Sequence, residues 1–302
     1  MICTDFSGVA YSAIINSAMR EKVTLDEQIV KHIAISTFRN IHVALAKEYG
    51  NHLLICDHRS WRKDVFPFYK ANRKRDDSEE SAIDWEMLFR VMDELKEAFD
   101  KHFPFHVITV PNTEADDVIA AFAVKAKEPV VIVSKDHDFH QLHSAKVKQY
   151  NPSKKKFIDI PDPKEARLMH IIGGCAGDGV PNVLSDDDAF VNSSKRQKAL
   201  RQNKIAMCLE YAKDDFNSAP AELKKNWDRN KLLVDLTSPV DFALAAVDKY
   251  YAQGPKEVSQ NDTANWLASQ RMVMLLGKIT DFYKGIRNQS TEEPKGPLSN
   301  FM

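Results

Sequence analysis

Eight carboxylates fall at or just beyond the ends of short apolar runs or in a glycine-rich stretch. Asp5 closes Ile2-Cys3-Thr4, and Asp57 closes Leu53-Leu54-Ile55-Cys56. Glu114, Asp116 and Asp117 follow Val107-Ile108-Thr109-Val110, and Asp136 and Asp138 follow the run from Val130 to Val133. Asp178 lies in the glycine-rich stretch beyond them. If the runs are strands of one parallel sheet, their carboxyl ends open onto a single crevice. So many carboxylates cannot all ionise side by side without cations. Oxygen ligands at this density suit Mg²⁺, with Mn²⁺ as a substitute, better than Zn²⁺. Two such ions about 4 Å apart can hold the attacking and leaving oxygens of a phosphoryl displacement, and an ion-bound water supplies the nucleophile without a Ser, Cys or His triad. Taken singly the acids have a plainer account. Helix N-termini attract acids, so Glu114, Asp116 or Asp117 alone could simply start a helix, and Asp136 with Asp138 could form a turn. Their coincidence at four strand ends is what favours a metal site.

The elements needed to position these acids can be read around them. Thr24 with Glu27 has the form of a capping box, ahead of a helix carrying Ile29, Ile33, Phe38 and Ile41. Residues 84–99 place Trp85, Leu88, Met92, Leu95 and Phe99 on one helical stripe. Thr113 stands where it would cap an alanine-rich helix, and two short segments around Asn151-Pro152-Ser153 read as a hairpin. The β-α-β-α order predicts an α/β fold, a mostly parallel sheet with helices on both faces, followed by a helical C-terminal part. The expected organisation is an α/β core over 1–161 with a basic segment at about 58–100, a helical C-terminal part over 162–290, and a flexible polar tail over 291–302.

The chain has 302 residues, 43% of them hydrophobic, enough for one large core with a smaller satellite. Its net charge of −1 does not announce a nucleic-acid binder, so the distribution of charge has to decide. No apolar run approaches the ~18 residues of a membrane span, and the start, Met1 to Asp5, lacks the marks of a signal peptide. The four cysteines show no CxxC spacing. They predict a reducing cytoplasm and no zinc site. From Asp57 to Arg75 there are seven basic residues against two acids, a local net of +5, with Trp61, Phe66, Phe68 and Tyr69 interleaved. A basic run alone is usually a solvated loop. Here it stands directly after Asp57, and basic and aromatic groups together suit a track for a nucleic-acid backbone.

Three motifs carry a family resemblance. Glu114-Ala115-Asp116-Asp117 is similar to an acidic EADD motif, Ser134-Lys135-Asp136-His137-Asp138 to S-x-D-x-D, and Tyr69-Lys70-Ala71-Asn72-Arg73 to Y-K-x-x-R. Together they resemble the 5′-nuclease (flap endonuclease) family, and within it the ribonuclease H branch of T-even bacteriophages. The likeness extends to Trp61-Arg62-Lys63-Asp64 and more weakly to Leu223 to Leu236, in order along most of the chain. It implies a first metal held by Asp5, Asp57, Glu114 and Asp116, and a second surrounded by Asp117, Asp136, Asp138 and Asp178. It implies an arch through which single-stranded 5′ ends pass, with Lys70 and Arg73 on the phosphate being cut and Arg62, Lys63, Tyr69, Lys74 and Arg75 along the nucleic acid. Residues 173–183 resemble the start of a helix-three-turn-helix element that grips duplex phosphates, to which Lys195 and Arg196 would add. The implied activity is Mg²⁺-dependent 5′ to 3′ exonuclease and flap cleavage with ribonuclease H action on RNA–DNA hybrids. The implied role is clearing RNA primers from lagging-strand fragments, as a monomer beside a phage single-strand-binding protein.

One position departs from the family pattern. Cys175 stands where an aspartate belongs in G-D-x-x-D, which leaves the second metal with less negative charge; on its own a free cysteine is most often a small buried apolar residue. This keeps open a non-catalytic, structure-specific nucleic-acid-binding protein with an incomplete second metal site. An aspartyl-phosphate phosphatase on a similar sheet is disfavoured, because Asp5-Phe6-Ser7 offers no second acid. His137, between two aspartates, carries no catalytic role in this reading.

Overall fold

Cys3, Leu53, Ile55 and Ile132 point to one face of the strands that carry them, and Ile2, Leu54, Cys56 and Val131 to the other; all are buried. Strands apolar on both faces belong to the middle of a sheet covered on both sides, and the computed structural model shows one. It describes residues 1–21, 24–73, 83–254 and 256–286. Six strands lie in the order β3-β2-β1-β4-β5-β6. These are β1 (Ile2–Asp5), β2 (His52–Cys56), β3 (His106–Thr109), β4 (Val130–Val133), β5 (Val147–Asn151) and β6 (Lys156–Ile158). The first five run parallel, and β6 turns back antiparallel on β5 as the expected hairpin.

On one face lie α1 (Phe6–Glu21), α2 (Glu27–Tyr49) and, beyond the short α3 (Arg62–Val65), α4 (Trp85–His102), around stacked Phe6 and Phe38 with Phe99 edge-on to both. On the other lies α5 (Ala115–Lys125). After β6 the chain is helical: α6 (Pro163–Gly173), α7 (Gln202–Ala212), α8 (Ala221–Val234), α9 (Asp241–Gln253), α10 (Gln260–Ser269) and α11 (Val273–Leu276). The late helices return to the sheet. Val247 and Tyr250 of α9 pack with α5, while Leu267 and Leu275 join the core on the opposite face. A third cluster joins Phe66 and Tyr69 to Ile171 and Ile172 of α6 and Trp227 of α8. No helix among the described residues is long and apolar enough to cross a membrane.

Two caps differ from the sequence reading. Asp26, not Thr24, caps α2, its carboxylate accepting from Ile29 N at 2.7 Å. Glu114, not Thr113, is the N-cap of α5; the Thr113 hydroxyl instead bonds Pro111 O at 3.0 Å. In each case the residue nearer the first helical turn has the extended backbone a cap requires. Residues 74–82 and 287–302 lie outside the described residues, so the flexible tail expected over 291–302 does too, as do Lys74 and Arg75.

Candidate metal centre at the carboxyl edge of the sheet

Strand order reverses at β1, which has β2 on one side and β4 on the other. The crevice of such a sheet opens there, and Asp5 is the last residue of β1. Helix α1 starts at the next residue, so Gly8 N–H donates to Asp5 Oδ1 at 2.8 Å. A Cβ on Gly8 would stand 2.1 Å from Asp5 Oδ2, so only glycine lets the helix turn so closely over the carboxylate. Asp57, just past β2, accepts from Ala115 N at 3.0 Å in the first turn of α5. Asp116 lies in the same turn. Asp136 follows β4 and accepts from Asp138 N at 3.0 Å, opening a short 3₁₀ turn, His137–Leu142. Asp178 ends a second such turn, Ala176–Asp178, beyond α6.

These acids share one field. Burial, and then Asp5, Asp138, Asp136 and Asp57 around it, hold the Asp116 carboxyl well above the ordinary aspartate range. Burial and then Asp57 push Asp5 up to about 7, against the Gly8 hydrogen bond. Burial, Asp136 and Asp178 push Asp138 upward as well. Asp138 Oδ1 is buried with no hydrogen-bond partner, and one oxygen of Asp138 lies within 4.8 Å of Cys175 Sγ and an oxygen of Asp178. Carboxylates that must keep protons for want of a counter-charge, with an orphaned oxygen among them, fit a divalent cation.

Glu114 behaves differently. Burial alone would raise its pKa, but Lys70 with the Tyr69 and Ser60 hydroxyls brings it below the usual range. Ser60 Oγ donates to Glu114 Oε2 at 2.7 Å, the Tyr69 hydroxyl lies 2.7 Å from the same oxygen and 2.9 Å from Asp178 Oδ2, and Lys70 Nζ donates to Oε1. Lys70 Nζ is also 3.6 Å from Asp178 Oδ1. Arg73 donates to Asp178 Oδ1 at 2.7 Å. The segment carrying them is seated on the glycine-rich loop. Lys70 N–H bonds Asp178 O at 2.7 Å, Asn72 Nδ2 bonds Ala176 O at 2.8 Å, and Arg73 Nε bonds Gly177 O at 3.0 Å. Gly179, at φ +72°, passes under it; a Cβ there would meet Phe68 O at 2.7 Å.

Several expected roles change on this geometry. Arg62 is only 4% exposed. Its guanidinium takes both oxygens of Asp117 at 2.7 and 2.8 Å, Glu114 Oε2 at 3.2 Å and Leu233 O at 2.7 Å, so it has no donor fork to offer a phosphate backbone. Asp117, placed by the sequence around the second metal, is buried with both oxygens on Arg62 and Trp61 Nε1 beside it at 3.3 Å; it anchors Arg62. Tyr69 is buried under the same segment and offers no stacking face. Lys63 and Arg73 are exposed. Lys195 is engaged by Asp186 at 3.1 Å and Asp188 at 2.8 Å, and Arg196 is exposed beside it. Asp186 and Asp188 thus engage the first of the basic residues that follow them. No helix follows the glycine-rich loop directly: residues 181–201 run as turns and extended chain before α7, unlike the expected helix-three-turn-helix.

Two histidines went unremarked or unassigned in the sequence. His170 of α6 brings Nε2 to 3.4 Å from Asp138 Oδ1, and burial pushes its imidazole down to about 4. His137 brings Nε2 to 3.4 Å from the same oxygen. Cys175 is half-buried and turned toward Asp138 and Asp178, and burial pushes its thiol up to about 12.

Residues 5–167 match the family model described as 5′-3′ exonuclease, N-terminal resolvase-like domain. The chain is 36% identical over 264 residues to a ribonuclease H of Enterobacteria phage T4, covering 82% of this chain and 84% of that one. It is 33% identical over 136 residues to the flap endonuclease Xni of Shewanella pealeana, covering 41% of this chain and 49% of that one. Among solved structures, the T5 D15 protein co-crystallised with metal ions superposes with a TM-score of 0.56 at 17% identity, over 90% of this chain and 98% of that one. The bacteriophage T5 D15 flap endonuclease in complex with DNA and metal ions does so with a TM-score of 0.56 at 18% identity, over 89% and 98%. At such identities the structural likeness speaks for the fold.

Proposed function

Since this chain is a metal-dependent nuclease of the 5′-3′ exonuclease family, we propose that it cuts phosphodiester bonds at 5′ ends and 5′ flaps, and in RNA paired to DNA, with two Mg²⁺ ions. The observation that carries this reading is the shared field of Asp5, Asp57, Asp116, Asp136 and Asp138 at the reversal of strand order. Asp5, Asp57 and Asp116, with Glu114 behind them, would hold one ion; Asp136, Asp138 and Asp178 would border the other. Bound there, the ions supply an activated water and neutralise charge on the phosphate. The protein's own part is to gather the carboxylates at one edge of the sheet and to set Lys70 between Glu114 and Asp178, where its ammonium stays protonated because those two acids outweigh its burial. An ammonium so fixed can meet charge that develops on a phosphate oxygen. Arg73 and Lys63, exposed, would guide the strand. The role that fits is removal of RNA primers and adjacent DNA from lagging-strand fragments, by a monomer acting in a phage-infected host cytoplasm beside a single-strand-binding protein.

The test is cleavage of a 5′-labelled flap and of an RNA–DNA hybrid with Mg²⁺ titrated from zero. Short 5′-phosphorylated products that appear only with the metal support the proposal. Substrate bound but uncut at every Mg²⁺ and Mn²⁺ level would replace it with the non-catalytic binder.

A further inference from the structure

At the Asp138 end of the cluster the donors are no longer all oxygens. His137 Nε2 and His170 Nε2 each lie 3.4 Å from Asp138 Oδ1, and the three atoms are all within 4.8 Å of one another. The His170 side chain is only 9% exposed, and neither its Nε2 nor Asp138 Oδ1 has a hydrogen-bond partner. Two buried polar atoms from different elements, facing each other without a hydrogen bond, are satisfied together by a cation that binds both. The two imidazoles meet at 87° with centroids 5.7 Å apart, so the rings converge on the carboxylate without stacking.

The spacing discriminates between ions. Four-coordinate zinc with bonds of roughly 2.0–2.1 Å separates its ligand atoms by about 3.3 Å. Octahedral Mg²⁺ at a similar bond length separates neighbouring ligands by only about 2.9 Å and prefers oxygen. The two separations from Asp138, each 3.4 Å, lie nearer the first. Neutral imidazole also suits zinc and its transition-metal neighbours far better than magnesium. Behind His137, the other ring nitrogen, Nδ1, faces Asp136 Oδ1 at 3.4 Å, the arrangement by which a carboxylate orients a metal-bound imidazole.

We propose that His137, Asp138 and His170 form a three-ligand site for a zinc-like dication, one that cysteine spacing could not signal, with a fourth position open to water. The inference deepens the nuclease reading and rests on it only through the shared Asp138.

The test is titration of the metal-free full chain with Co²⁺, read by visible absorption, then competition with Zn²⁺ and with excess Mg²⁺. One equivalent should give an intense band of tetrahedral type, displaced by Zn²⁺ but not by Mg²⁺. His137→Ala and His170→Gln should each weaken Zn²⁺ binding by more than the roughly 10- to 100-fold typical of losing an outer-shell partner. His137 is exposed, so its variant keeps the test decisive should the buried His170 variant misfold by circular dichroism. A wild-type chain with no such band, a band indifferent to His137→Ala, or a thiolate charge-transfer band abolished by Cys175→Ala would each overturn the inference. Flap cleavage with Mg²⁺ alone, run in parallel, separates the two readings: cleavage without the band removes only this site, and the band without cleavage removes only the nuclease.

Discussion

Lys70 Nζ donates to Glu114 Oε1 and lies 3.6 Å from Asp178 Oδ1, so one ammonium bridges an acid at the start of α5 and an acid in the glycine-rich loop. It shares these acids with Arg73 on Asp178 and Arg62 on Glu114, but it alone of the three reaches both. Lys70→Met should slow single-turnover cleavage by about 10²-fold, the loss expected for removing one donor to a transition-state oxygen, while substrate Kd changes much less. A loss confined to Kd would make Lys70 a positioning residue.

Burial, and then four neighbouring acids, hold Asp116 well above the ordinary aspartate range. Asp116→Asn should therefore do two opposite things. Removing a carboxyl that pays to ionise should raise the Tm of the metal-free protein, and removing a ligand should reduce cleavage to background. A variant no more stable than wild type in the absence of metal would show that the crowding of charge is not felt by the fold.

The pH dependence has a definite sign. Asp5 titrates near 7 in the folded protein against 3.8 ordinarily. Between those values the folded state keeps a proton that the unfolded chain has released, so metal-free stability should fall as pH rises from about 4 to about 7 and then level. A divalent ion displaces that proton. Calorimetry of Mg²⁺ binding near neutral pH in two buffers of different ionisation enthalpy should reveal proton release, and affinity should rise with pH. Identical heats in both buffers would contradict the shift.

Arg62 offers a test of structure against binding. Arg62→Ala leaves Asp117 buried without its partner, and breaking such a pair costs about 3–5 kcal/mol. The expected result is a large loss of Tm in low and high salt alike. If the variant instead keeps its stability and its DNA affinity loses salt dependence, Arg62 reaches the phosphates after all.

Gly8 puts two effects in opposition. Helix propensity favours alanine by at most about 1 kcal/mol, yet a Cβ would stand 2.1 Å from Asp5 Oδ2. Gly8→Ala should weaken metal binding and cleavage without a matching gain in Tm. Unchanged metal affinity would mean the Asp5 carboxylate can step aside freely.

The acids were legible because two independent signals agree on them. Continuous apolar runs mark buried strands, and the carboxylates follow those runs directly, so placing the strands places Asp5, Asp57, Asp116 and Asp136. What pairs with what was not legible. The Arg62–Asp117 contact joins residues 55 positions apart, and nothing in a basic-aromatic run says which arginine turns inward. His170 looks like any polar residue in the sequence of α6; only the packing of that helix against the turn after β4 brings it to Asp138. Caps were off by one or two residues because Thr24 and Asp26 are both competent by type, and at α5 the extended backbone falls on Glu114 although Thr113 is the better cap by type.

The seat of residues 68–73 on residues 176–179 makes the lysine and the glycine-rich loop one rigid piece. If that loop holds the duplex end of a substrate, the span from duplex junction to ammonium is a gauge with both jaws cut from the same block. Cleavage should then fall at one fixed distance from the junction whatever the length of the flap, and loosening the seat, as Asn72→Ala would, should blur the cut over neighbouring positions before it slows the reaction.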